Sequence, residues 1–516
     1  MAIEAQPRTA KPMNHPTRLA TALLCAALFG GCATPPAPNE PRAHDARRFT
    51  IDETALQATL ASSDREATKG HGAFLPLPGT DADRWVGVLG EGLDRAAYQV
   101  EVPRRWNGRL VLYAHGYRGE GPVLTVGPPP IRKYLIEHGY AWAASSYSRN
   151  FYDVRAGVED TNALALAFTA IAARNGRALE APSRIYIAGG SMGGHVAAAA
   201  VDRETLRDAL HKVRYHGAVP ACGVLGDSEL FDFFAAYQVA AQQLAGLPAT
   251  SWPVTNYADI APRVRAANFA AFPSAAASGA VQGATTPAGE RLARIVENLS
   301  GGRRPLFDTG FLLPQGTTPV AWSTFGRDGT INGILGKDGI DTTRVVYQFD
   351  DDPALSDEER RFNAAALRIR GDPEANRRRP DGLRWIPKAN ARFDVPVLTL
   401  HTLGDMYVPF GMEQVFKRRA DAEGTSGRLV QRAIRGVTHC DFTLAEQEEA
   451  FADMVRWEQT GAKPLGDDVT TPAVLADPAY GCRFSRAPRA DDPAVVRSLR
   501  GLPAAACPAG SASANF

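Results

Sequence analysis

A serine becomes a useful nucleophile where the backbone lifts its hydroxyl clear of its neighbours and a base stands ready to take its proton. The stretch Tyr186–His195, YIAGGSMGGH, offers the first condition. Gly189, Ser191 and Gly193 match G-x-S-x-G, with the apolar run RIYI before them and the Ala-rich run HVAAAA after. A strand, a sharp turn and a helix in that order give the spacing its meaning. The serine sits at the apex, the small residues let strand and helix pass closely, and the helix N-terminus favours negative charge developing nearby. The same letters also suit a structural glycine-rich turn, so the partners decide.

Ten histidines are candidates for the base. His15 and His44 precede the core, and His138 and His211 have polar helical surroundings. His195 falls in the first turn after Ser191 and reads as a packing residue, while His401 lies inside a strand. His439, in RGVTHCDF, follows the last strand-like run and precedes a terminal helix, so its loop can reach over the sheet to the serine. An acid must orient that imidazole and stabilise its charged form. Asp405, in VLTLHTLGDMYVP, follows the penultimate strand-like run. Asp441 is too close in sequence to His439 to orient it, and Asp394 is at the wrong end of its strand. No C-x-x-C or H-E-x-x-H spacing points to a metal, and a Ser–His–Asp mechanism requires no cofactor. The acidic run FDDDPALSDEER reads as a helix start capped by Ser356 and Glu359 rather than as a calcium site.

These residues need a scaffold. Apolar runs at Arg109–Gly116, from Tyr140, to Ser191, to Gly223, at Val395–Thr402 and at Arg428–Gly436 read as strands buried on both faces. RWVGVLG and AYQVEVP read as an antiparallel opening pair. Helical patterns alternate with them: one follows Asp160, one follows Ser191, one ends at Gly424, and one starts with the capping box Thr443/Glu446 and ends at Gly461. This alternation predicts a mostly parallel sheet. The rhythm breaks between Gly223 and Phe393, a span too long for a simple connection. It reads as an inserted, mainly helical cap carrying Trp252, Phe269, Phe272, Trp322, Phe325 and Trp385, which suggest a bulky or aromatic substrate group.

The order Ser191…Asp405…His439 at successive strand ends resembles the α/β-hydrolase superfamily over about Trp85–Gly461. The resemblance implies an α/β fold with a mostly parallel central sheet flanked by helices and a cap inserted before the penultimate strand. It also implies an oxyanion hole from the backbone N–H groups of Tyr117 and Met192, with Gly116 allowing close approach of substrate; His115 is then structural. GGSMGG is similar to secreted esterases, polyester depolymerases and prolyl-oligopeptidase-like peptidases alike. His439-Cys440 is similar to tannases and feruloyl esterases, but Gly190 stands where those enzymes carry the cysteine before the serine, so the chain is not assigned to them.

The domain boundaries that follow are 1–32 for a signal peptide, 33–75 for a tether and N-terminal extension, 76–223 with 391–461 for the hydrolase core, 224–390 for the cap and 462–516 for a tail. Arg8, Lys11 and Arg18 precede a short apolar run ending in LFGGC, which resembles a lipobox with Cys32 as the lipidated residue; Met13 is an alternative start. The expectation is an outer-membrane or periplasmic lipoprotein, attached to membrane through Cys32, or otherwise a secreted protein. The formal net charge of +1 gives no basic excess to attract nucleic acid. Cys222, Cys440, Cys482 and Cys507 allow one or two disulfides in an oxidising compartment, with Cys482–Cys507 preferred. The reading is an exported serine hydrolase acting on small or polymeric carboxylic esters. A peptidase or amidase and a non-catalytic binding lipoprotein are the alternatives.

Overall fold

The apolar runs form one eight-stranded sheet. Its strands are β1 Ala82–Leu89, β2 Ala96–Pro103, β3 Arg109–Ala114, β4 Ala141–Ser145, β5 Arg184–Gly190, β6 Gly217–Ala221, β7 Val397–Thr402 and β8 Leu429–Ile434. The spatial order is β1-β2-β4-β3-β5-β6-β7-β8. The first two strands pair antiparallel and β2 meets β4 antiparallel. All the other neighbours pair in parallel. This topology is the α/β-hydrolase fold. The computed structural model describes residues 45–276, 279–317 and 333–509, so the leader, Cys32, most of the tether, Trp322 and Phe325 lie outside the described residues.

Side chains alternate along each strand, and here both faces are apolar. Leu110, Leu112 and Ile187 enter one core layer, and Val111, Tyr186 and Val219 enter the other. The principal helices are α1 Arg132–Glu137, α2 Val154–Arg174, α3 Met192–Ala200, α4 Glu229–Leu244, α5 Pro287–Leu299, α6 Gly411–Ala422, α7 Leu444–Thr460 and α8 Ala494–Arg500. The first layer holds α2, α3 and α6 together with α4 and α5 of the long β6–β7 connection. The second holds α1 and α7. Thr443 and Glu446 form the expected capping box of α7, and Gly461 closes it at φ 74°. Ser356 and Glu359 form the second expected box.

One expectation changes. Helix α2 starts at Val154 rather than after Asp160, because Asp153 caps it by accepting from the Ala156 N–H. The acidic residues that mimic a helix start are buried and paired instead: Glu159 accepts from the Leu210 and His211 N–H groups at 2.9 Å, and Asp160 from the Ser148 N–H at 2.6 Å. The four cysteines form two disulfides, the preferred Cys482–Cys507 and also Cys222–Cys440.

Candidate active site

Ser191 lies between β5 and α3 at φ 60°, ψ −126°, a conformation that costs a non-glycine residue free energy and persists only where its surroundings impose it. The surroundings are backbone. The Ser191 N–H donates to the Ala221 carbonyl at 3.0 Å, which ties the turn to the end of β6. A Cβ on Gly189 would stand 2.2 Å from the Gly193 oxygen, and one on Gly193 would stand 2.0 Å from the Ala114 oxygen. Only glycine therefore lets α3 start this close to β5 and β3. A Cβ on Gly116 would come within 3.1 Å of the Ser191 Cβ, so the loop after β3 runs directly past the serine. Tyr117 lines the same cavity as Ser191. Met192 buries its side chain at the start of α3, where the first N–H groups have no acceptor within the helix.

Asp405 and His439 meet from two loops. The His439 Nδ1 lies 2.6 Å from Asp405 Oδ2. Asp405 is fully buried, and its other oxygen accepts from the Tyr407 and Val408 N–H groups at 3.0 and 2.9 Å. These bonds fix the carboxylate and hold His439 as the tautomer that leaves Nε2 free to accept a proton. Ser191 and His439 line one cavity of about 380 Å³. Asp441 turns away, accepting from the Val437 N–H at 3.1 Å and facing Arg500. Asp394 pairs with Arg203.

The other histidines near the site are structural. His195 is completely buried; Tyr152 donates to its Nδ1 at 2.8 Å and its Nε2 donates to the Pro387 carbonyl at 2.7 Å. His115 stacks on Tyr147, and burial lowers its pKa to about 3. His401 lies behind Asp405. Burial opposes its protonation, but the Glu413 carboxylate 3.3 Å from Nδ1 and the charge of Asp405 outweigh this and raise its pKa.

Two contributors are not evident from sequence. Gln315, in the β6–β7 connection, joins the Asp405 and His439 loops. Its Oε1 accepts from the His439 N–H at 2.9 Å, and its Nε2 donates to the Gly404 and Val437 carbonyls at 2.9 Å. A lone glutamine in LLPQGTTP carries no signal of this, because its role exists only once the connection folds back on the loops. The second is the Cys222–Cys440 disulfide. Cys440 follows His439 directly, at φ 54°, and its Sγ lies 3.5 Å from His439 Nε2. Cys222 follows β6, and a Cβ on Gly190 would lie 3.9 Å from both sulfurs. The bridge therefore links the His439 loop to the strand beside the serine, although Gly190 rather than a cysteine stands directly before Ser191. Because the sulfurs are bonded to each other, neither offers a thiolate to a metal alongside His439.

For the described residues, the expectation that cap aromatics shape the substrate site is corrected. None of the described residues lining the cavity comes from 224–390. Phe269 and Phe272 pack on each other, Trp385 is buried beneath Arg379 and Arg155, and Trp252 packs against the same core layer.

Neither a family model nor a curated protein matches the sequence. Among solved structures, feruloyl esterase B from Aspergillus oryzae is similar at 12% identity and TM-score 0.38, over 74% of this chain and 81% of that one. Thermogutta terrifontis esterase 2 is similar at 15% and 0.33, over 75% and 98%. Pyrococcus horikoshii acylaminoacyl peptidase is similar at 9% and 0.36, over 76% of this chain, which spans only 44% of the peptidase. Likenesses at this level carry no argument about activity, so the functional reading rests on the geometry of the site.

Proposed function

We propose that the chain is a serine hydrolase of carboxylic esters, with Ser191 as nucleophile, His439 as general base and acid, and Asp405 as the acid that orients it. The observation that carries this reading is the 2.6 Å contact between Asp405 and His439, which lines one cavity together with the strained Ser191. Ser191 Oγ gives its proton to His439 Nε2 and bonds to the ester carbonyl carbon. The carbonyl electrons move to oxygen, where the N–H groups of Tyr117 and Met192 are the proposed donors. When that charge returns, the carbon–alkoxy bond breaks and the leaving oxygen takes the proton from His439. Water then repeats the sequence, leaving the free acid and restoring Ser191.

An ester rather than a peptide substrate is supported by the lining: among the described residues, no Asp, Glu, Lys or Arg lines the cavity to grip a peptide terminus. Comparing nitrophenyl esters with aminoacyl anilides tests this. Ester turnover far above anilide turnover is expected, and the reverse order would make the chain a peptidase. We also propose export with Cys32 as a lipid anchor, a reading supported by the leader sequence and by two disulfides suited to an oxidising compartment. Palmitate labelling of cells expressing the chain should give a lipidated protein that Cys32→Ser abolishes; unlabelled wild-type protein contradicts the anchor.

A further inference from the structure

The cavity runs away from the β6–β7 connection. Its walls are Val111 and Tyr113 on β3, Ala188 on β5, Val219 on β6 and Leu400 on β7, all directed to the α1/α7 layer, with Phe451 of α7 opposite. Ala188 and Tyr113 stand on inner strands yet are only half-buried, because this space reaches them. Val111 pairs with Tyr186, five positions before Ser191. At about 3.3 Å per residue the sheet wall therefore reaches at most roughly 16 Å back from the serine, at Val111. Small residues at Ala188, Gly190 and Ala221 leave the room on the sheet side. The tail closes one wall: Pro493 and Val496 line it, and Arg500 holds α8 to Glu446 at 2.9 Å.

We infer that this cavity binds one unbranched alkyl arm of the ester, threaded between the sheet and α7 while the carbonyl sits at Ser191. This rests on the proposed role of Ser191. The walls are mainly aliphatic, and polar side chains away from the catalytic residues are confined to Tyr113, Tyr117 and Gln447. A saturated chain leaves no polar group unpaired there, whereas a hydroxylated aromatic arm would bury hydroxyls against Val111, Val219 and Leu400. The depth favours a chain over a compact ring.

Two substrate series read the arm: 4-nitrophenyl esters from acetate to palmitate, and acetates of straight-chain alkanols. In one of them kcat/KM is expected to rise about fourfold per added methylene until the cavity is filled, then level off or fall. Ala188→Leu, which fills the middle of the cavity, is expected to lower the octanoate-to-acetate ratio, or its alkanol counterpart, at least tenfold. A flat profile in both series, or an unchanged ratio in folded Ala188→Leu, would overturn the inference. If that variant does not fold, the wild-type series decide alone. Acetate turnover with a flat profile sinks the alkyl arm only. Absence of both acetate turnover and fluorophosphonate labelling sinks the role of Ser191, and the alkyl arm with it.

Discussion

At the scale of single residues, the losses on substitution are separable. Ser191→Ala and His439→Ala should each lower kcat by roughly 10⁴–10⁶-fold, and Asp405→Asn by about 10⁴-fold or less, with thermal unfolding near that of the parent. Steady-state kinetics with a nitrophenyl ester checks these values, and wild-type turnover in His439→Ala would mean that the base is misassigned. Gln315→Ala should lower kcat by about 10–100-fold while KM moves little, because it loosens the Asp405 and His439 loops together without touching substrate. An unchanged kcat would reduce Gln315 to packing. Ser191, Asp405 and His439 were legible because each chemistry-bearing residue follows a recognisable strand and their order is informative. Gln315 was not, because its partners are backbone groups that meet it only once the long connection folds back on the two loops.

At the scale of elements, the Cys222–Cys440 bridge ties the His439 loop to the end of β6. Removing both cysteines should cost about 2–4 kcal/mol of stability through the freed unfolded chain. It should also lower kcat by tenfold or more, because Cys440 holds its left-handed backbone conformation next to the base. Calorimetry and kinetics on Cys222→Ala/Cys440→Ala test both effects; full activity would make the bridge a staple alone. The start of α4 adds a pH dependence. Burial and neighbouring carboxylates push the pKa of Asp232 up to about 7, while the Asp341 N–H that donates to it at 2.8 Å acts in the other direction. The folded state thus holds a proton that the unfolded chain releases, and this group makes stability fall as pH rises from about 4 to about 7. Asp232→Asn, neutral and still able to accept from Asp341, should melt on the order of 1–3 °C above the parent at pH 8, with the difference closing toward pH 4. A lower Tm at pH 8 would contradict this. Strands and capping boxes were legible because their signals are local. The early start of α2 was not, because Glu159 and Asp160 are buried by distant backbone partners.

At the scale of the whole molecule, the sheet separates two tasks. On one face the long β6–β7 connection packs with α2, α3 and α6, and from its margin Gln315 reaches the Asp405 and His439 loops. On the other face the sheet, α7 and the tail enclose the cavity. Sequence patterning predicts the alternation and the insertion, but not which face each serves, since both faces of the strands are equally apolar. The tail is part of the site wall, so truncation before Cys482, which removes α8, should weaken turnover of long-chain esters more than of acetate, as a ratio of kcat/KM values would reveal. The most direct test of the central claim is reaction of purified protein with a fluorophosphonate, followed by peptide mass spectrometry. The account predicts a single adduct on Ser191, absent in Ser191→Ala and formed far more slowly in His439→Ala. An unlabelled wild-type protein, or an adduct on any other residue, would contradict it.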